Sequence, residues 1–189
     1  ELENDGFDGN STISQLVDSV NAVVGEGTYA FVDAAGQIGT DAITTGMLYK
    51  VATVAPAGPA LQNSDAIFNR PPLVQTFALD NGADITVVAN HFKAKTCGGA
   101  SGDDRDQEDG QGCFNAKRTA QSNALTTWLA SDAAFEGKEN ILIVGDLNAY
   151  AKEDPILALE ESGYSNLVNF FDGDSAYSYS FGGEIGYLD

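Results

Sequence analysis

Apolar positions in this chain switch between helical and strand spacing, and the switches predict a protein of mixed α/β type. In STISQLVDSVNAVVG, residues 11–25, Ile13, Leu16, Val17, Val20 and Val24 recur three and four apart. That is the stripe of an amphipathic helix, with Ser11 or Thr12 as its cap and Gly25 as its end. TYAFVD and GMLYKVATV read as short strands. In PPLVQTFALDNGADITVVANHF, two β-rich runs flank DNGAD, which predicts a hairpin turning at Asn81-Gly82. NAKRTAQSNALTTWLASD reads as a second helix with Ala124, Leu125, Trp128 and Leu129 facing inward. ENILIVGDLNAY is an apolar strand that ends abruptly in polar residues. EDPILALEESGY is a helix with Pro155 in its first turn and Gly163 at its end. The tail SAYSYSFGGEIGYLD is aromatic and β-prone. Hairpins among alternating strands and helices predict mixed sheets with helices outside them, not an all-parallel doubly wound fold.

Composition narrows the class. The chain has 189 residues, 43% of them hydrophobic, which is enough for one domain with a sizeable core. No apolar run approaches the roughly 20 residues that cross a bilayer, so no membrane span is expected. The formal net charge of −19 repels bare phosphate polymers, so nucleic-acid binding by a general basic patch is excluded. A phosphate substrate would need a metal ion or a locally basic cleft. Cys97 and Cys113 flank the acidic, Gly-rich stretch of residues 98–112. Two lone cysteines without a nearby histidine bind metal poorly, and a loop-closing disulfide is the better reading. It implies an oxidising compartment, hence secretion or an extracellular or periplasmic address. The chain opens in what reads as a strand end, ELENDGF, and is expected to be an internal piece of a longer protein.

Several polar residues at element ends are candidates for chemistry, each with a plain alternative. Asp146 and Asn148, in Gly145-Asp146-Leu147-Asn148, follow an apolar strand. Strand alternation puts both on one side, placed to hold a hard cation or orient a water, or else they make a turn. His91, the only histidine, ends its own strand and is either catalytic or structural. Arg70 is a natural bidentate phosphate ligand or a solvated side chain before prolines. Lys93 and Lys95 add positive charge beside His91. Asp41 pairs with a base or ends a loop; Glu1 is surface or ligand; Asp189 is functional or a frayed end. Asp103, Asp104, Asp106, Glu108 and Asp109 offer oxygens to Ca²⁺ without EF-hand spacing, or form a solvated loop.

The ordered set of pieces is more specific than any residue alone. ELENDGF, DAITTGMLYK, NRPPLVQTF, VVANHFKAK before a cysteine-bounded acidic loop, RTAQSNAL, GDLNAY and YSYSFGGEIGYLD span the chain. In that order they resemble the endonuclease/exonuclease/phosphatase superfamily, the group of pancreatic deoxyribonuclease. More closely, they are similar to bacterial extracellular nucleases of the ExeM/NucH type. The resemblance implies a four-layered α/β sandwich, two mixed β-sheets with flanking helices, incomplete at both ends, with residues 1–189 forming one domain fragment. It implies a metal-dependent phosphodiesterase that hydrolyses extracellular DNA or RNA without sequence preference, by in-line attack of an activated water.

The same resemblance carries roles to single residues. Glu1, with Asn148, matches a Mg²⁺ or Mn²⁺ ligand. Asp146 matches the residue that activates water. Asn148 matches an amide that contacts phosphate or metal and Arg70 the phosphate-binding arginine, while Lys93, as local positive charge beside the cleft, is expected to bind substrate. His91 matches a phosphate ligand or general acid, and Asp41 lies near the acid that orients it. Asp189 matches the aspartate that orients a second, catalytic histidine. In that family the histidine belongs to a Ser-Asp-His segment downstream of the position of Asp189, and an N-terminal strand precedes that of Glu1; this stretch is expected to be a piece cut from a full enzyme, or else the protein is degenerate, and alone it is expected to be inactive. Ca²⁺ at the acidic loop is a further expectation, and that loop would border the substrate cleft. A phosphatase or sphingomyelinase of the same superfamily is the alternative within the class. A non-catalytic calcium-binding surface module is the alternative outside it. No protein partner is expected.

Overall fold

A computed structural model describes residues 1–35, 39–181 and 183–188. Among them the chain is mixed α/β, with four α-helices, one five-stranded sheet and three two-stranded pairs. Among the described residues no helix is long and apolar enough to cross a membrane. The chain divides into two compact units: residues 1–91 with 137–145, and residues 92–136 with 146–189.

The first unit begins with β1 (Leu2–Glu3), α1 (Thr12–Val24), β2 (Tyr29–Phe31), β3 (Ile43–Thr44) and β4 (Leu48–Lys50). β5 (Val54–Pro56), β6 (Leu61–Gln62), β7 (Leu73–Leu79) and β8 (Asp84–His91) follow, and β9 (Ile141–Asp146) returns to them. α1 has the expected bounds but a different cap. The carboxylate of Asp5 accepts from the Thr12 N–H at 2.9 Å and from its hydroxyl at 2.7 Å, while Ser11 turns its hydroxyl to the Asp8 carbonyl. A carboxylate at a helix N-terminus meets unpaired N–H groups and the positive end of the helix dipole. The helix buries Ile13 and Val17, whereas Leu16 and Val24 of the expected stripe are exposed. Asn21 clamps the next strand, bonding both the N–H and the C=O of Tyr29 at 2.9 Å.

The β7–β8 hairpin forms as expected. Its antiparallel register runs from Leu73 opposite Ala89 to Ala78 opposite Asp84. Gly82 has φ +83°, and Asn81 Oδ1 accepts from the Ala83 N–H at 3.0 Å, which closes the turn. Alternation then sorts two faces. Leu73, Phe77, Ile85, Val87 and Ala89 lie on one, packed with Phe7, Ile13, Val32 and Met47 in the apolar core. Val74, Thr76, Thr86 and Val88 lie on the other, where the two threonine hydroxyls share a 2.9 Å hydrogen bond. The sheet order is β5-β7-β8-β9, with β6 also on β7. Thr86 N–H bonds the Asn140 carbonyl and Phe92 N–H the Asp146 carbonyl, an equal advance on both strands that makes β9 parallel to β8. The sheet is therefore mixed. β9 is half-buried throughout rather than deeply enclosed.

The second unit holds α2 (Asn115–Ser131), α3 (Asp154–Glu161), α4 (Leu167–Asp172), β10 (Tyr179–Phe181) and β11 (Glu184–Gly186). The last two pair antiparallel, which is the β tendency of the tail. Pro155 sits in the first turn of α3. Leu125 and Leu129 of α2 are buried as expected, while Ala124 and Trp128 are only half-buried. Trp128 stacks edge-on against Phe135 at 5.1 Å. The rest of the buried face is polar: Arg118, Gln121, Ser122 and Thr126. Ser122 donates to the Pro155 carbonyl at 2.7 Å, which joins α2 to α3. Cys97 and Cys113 are disulfide-bonded.

Candidate functional site

Four of the expected residues come together in the first unit. Strand β8 carries His91 to its last position, where the imidazole is buried. Its Nδ1 lies 2.8 Å from Glu1 Oε2, whose side chain is 46% exposed. The contact sets a carboxylate beside one nitrogen of the imidazole. Arg70 is also buried. It donates from Nε to the His91 carbonyl at 3.2 Å and from Nη1 to Asp41 Oδ2 at 3.1 Å. Asp41 thus pairs with the arginine, and the carboxylate found on the histidine is that of Glu1. Asn4 fixes this acid's backbone by donating to the Asp41 carbonyl at 2.9 Å.

Gly145 explains part of the GDLN motif. Its φ is +111°, and a Cβ there would stand 2.1 Å from the Asn90 carbonyl oxygen. Only glycine lets β9 pass so close to β8. Asn90 completes the crossing by donating to the Val144 carbonyl at 3.3 Å.

The second unit organises Asp146 and Asn148 around one peptide. β9 ends at Asp146, so strand alternation does not reach Asn148, which sits at φ +49°. A local bond joins them instead: the Asn148 N–H donates to Asp146 Oδ1 at 2.8 Å, the turn that aspartate makes with the residue two positions on. The Phe92 N–H donates to the Asp146 carbonyl at 2.9 Å, and Asn148 Nδ2 donates to the Phe92 carbonyl at 3.1 Å. Leu147 N–H bonds the Leu188 carbonyl at 2.9 Å. Asp189 lies outside the described residues.

The lysines after His91 are already engaged. Lys93 Nζ lies 4.5 Å from the centre of the Phe114 ring. Lys95 forms a buried ion pair with Glu153. Arg118, with no solvent exposure, reaches the same carboxylate at 3.9 Å, and it donates to the Cys113 carbonyl at 2.7 Å and the Gln111 carbonyl at 2.8 Å. Burial pushes the Glu153 carboxyl above its usual range, against the opposing pull of Lys95 and Arg118. Burial likewise lowers the Arg118 guanidinium. This polar interior escaped the sequence reading. Its one signal was Arg118 and Gln121 standing a turn apart in line with Leu125 and Leu129, where a helix stripe calls for apolar residues.

The donor chemistry bears on the expected cations. Among the described residues no group of three or more His, Cys, Asp or Glu side chains converges. In the acidic loop, Asp106 Oδ1 accepts from the Glu108 N–H at 2.9 Å and Asp109 Oδ1 from the Gln111 N–H at 3.0 Å, so these carboxylates shape their own turns. Mg²⁺ needs no protein cage. It takes one or two carboxylates and completes its shell with water and phosphate oxygens. Glu1, half-exposed and set against a buried histidine, fits that requirement. A scan against protein-family models finds no match to this chain, and a search of curated proteins finds none either.

Proposed function

We propose that this chain is the core of a secreted, metal-dependent phosphodiesterase that hydrolyses DNA or RNA, built on the four-layered sandwich of the endonuclease/exonuclease/phosphatase type. The observation that supports it most is the buried His91, with Glu1 on its ring and Arg70 on its carbonyl. Such an arrangement is costly as mere structure, because it places a histidine and an arginine together out of water. As a site for an anion it is economical. Arg70, held by Asp41, would supply fixed positive charge, and His91 a proton, to a phosphate or leaving oxygen. In the reaction that the resemblance implies, the water oxygen bonds phosphorus as Asp146 takes its proton, the P–O bond to the leaving oxygen breaks, that oxygen takes up a proton, and Asn148 contacts the phosphate. Glu1 would hold Mg²⁺ or Mn²⁺, which supplies charge neutralisation at the phosphate.

The test is nicking of supercoiled plasmid by this chain, extended through its parent sequence on both sides, with Mg²⁺ and with chelator. Chelator-sensitive nicking is expected, with a loss of about a hundredfold or more in Asp146→Ala. Absence of nicking, or full nicking by Asp146→Ala, overturns the proposal. The net charge of −19 favours a small phosphoester over a long polyanion. Inositol phosphates and sphingomyelin belong in the same assay, and faster turnover of either would move the reading to a phosphatase or sphingomyelinase.

A further inference from the structure

We infer that Arg118 and Gln121 of α2 are positioning residues for the Asp146–Asn148 turn, an inference that rests on the phosphodiesterase reading for its catalytic consequence. Both side chains have no solvent exposure. Gln121 Oε1 accepts from the Lys93 N–H at 3.0 Å, and Arg118 Nη1 donates to the Lys93 carbonyl at 3.3 Å. The two polar groups of one peptide residue are thus held by side chains one helical turn apart.

The residue before Lys93 is Phe92. Its N–H is bonded to the Asp146 carbonyl and its C=O to the Asn148 amide. The chain leaving β8 therefore has two consecutive residues gripped from different elements: Phe92 by the Asp146 turn and Lys93 by α2. A segment leaving a strand is free to swing. Here it has four hydrogen bonds, and a displacement of Lys93 carries Phe92 with it and tilts the Asn148 amide. Arg118 also ties the same point to the disulfide loop, through the Cys113 and Gln111 carbonyls. A guanidinium suits this task because its planar fork bonds several carbonyls at once, whereas a lysine ammonium is a single point on a flexible stem. Neither side chain touches the reacting atoms, so each acts through the Phe92–Lys93 peptides.

Amide hydrogen exchange on this chain reads the positioning without any need for turnover. In the unmodified protein the Phe92 and Lys93 amides should exchange as slowly as the central amides of α2; fast exchange of either would overturn the inference. Gln121→Met keeps the volume and removes the acceptor. It should speed Lys93 and Phe92 exchange by about tenfold, and Gln121→Glu, which keeps an acceptor oxygen, should restore slow exchange. Arg118→Lys, which keeps the charge and loses the fork, should act in the same direction, and it serves if Gln121→Met does not fold. In the plasmid assay, Gln121→Met should lower kcat with KM unchanged, and Gln121→Glu should recover it. Altered Lys93 exchange with unaltered Phe92 exchange would overturn the inference, because the coupling is its content. If the unmodified enzyme fails to nick plasmid while the exchange pattern holds, the phosphodiesterase reading falls and the positioning assignment stands.

Discussion

The core on one face of β7 and β8 and the buried face of α2 are built from different materials. Around β7 and β8 the first unit packs Leu73, Phe77, Phe7, Ile13, Val32 and Met47, hydrocarbon against hydrocarbon. Around α2 the second unit buries Arg118, Gln121, Ser122 and Glu153 beside Leu125 and Leu129. The first kind of interior is non-directional and tolerates small shifts, since its stabilisation scales with apolar area removed from water. The second is directional and conditional. Each buried polar group must keep its partner, because an orphaned one costs more than the pair contributes. The difference teaches where precision resides: an apolar core holds a sheet together, and a polar one fixes a particular peptide, here Lys93.

The comparison makes the buried ion pair the most sensitive point. Lys95→Met takes the nearest cation from the Glu153 carboxylate, and a loss of about 4 kcal/mol is expected in urea unfolding. Replacing both partners, Lys95→Met with Glu153→Met, should return most of that loss; if the double variant is worse than the single, the interior is not the conditional kind described. In the apolar unit, Leu73→Ala should cost about 3 kcal/mol, and no second substitution at a polar neighbour should rescue it. Reducing the Cys97–Cys113 bridge, which spans 16 positions, should lower stability by about 3 kcal/mol. Exchange of α2 amides should report that loss before exchange of β7 and β8 amides, and a uniform response would erase the distinction between units.

The smallest effects sharpen the comparison by their sign with pH. Burial raises the Glu153 carboxyl above 4.5, so its contribution is fully present below that value and is lost as pH rises through the folded value. Glu153→Gln should therefore gain on the unmodified protein as pH climbs from about 4 towards neutrality. Asp5 runs the other way. Hydrogen bonds from the Thr12 hydroxyl and N–H hold it below 3.8, so its contribution is present above that value and lost as pH falls through the folded one. Asp5→Asn should lower the thermal midpoint slightly at neutral pH, with the difference vanishing in strong acid. Parallel pH profiles for the two variants would contradict the assignment.

What the sequence disclosed was mostly local. The Asn81-Gly82 turn, the α1 and α3 bounds and the cysteine pairing each depend on neighbours within a few positions, and each is seen in the structure. Long-range partners were opaque. Asp5 caps a helix that starts seven positions later, and no local rule ranks it above Ser11. Glu1 stands on a histidine ninety positions away, a pairing that no local pattern foretells, whereas Asp41 meets Arg70. Asn148 was placed beside Asp146 by strand alternation, and the strand had already ended. Short elements such as α4 and β6 carry too few residues to show a period. The polar face of α2 left only its alignment of Arg118 and Gln121 with Leu125 and Leu129, for a different reason. Arg and Gln are excellent helix formers on a surface, so their presence inside one reads as solvation.

The loop between the cysteines can be regarded as an interchangeable cassette. Its ends are fixed covalently at Cys97 and Cys113 and by the Arg118 fork at Gln111 and Cys113. Within it Asp104 serves as a further peg, its carbonyl accepting from Phe114 and its carboxylate from Lys117. The glycines at 98, 99, 102 and 110 have nothing within reach of an added Cβ. The stretch therefore has room for rewriting provided that Gly99, Gly102 and Gly110 stay, since their φ angles of +79°, +57° and +88° suit glycine, and a foreign epitope or affinity handle set between them would be displayed from a loop with fixed ends.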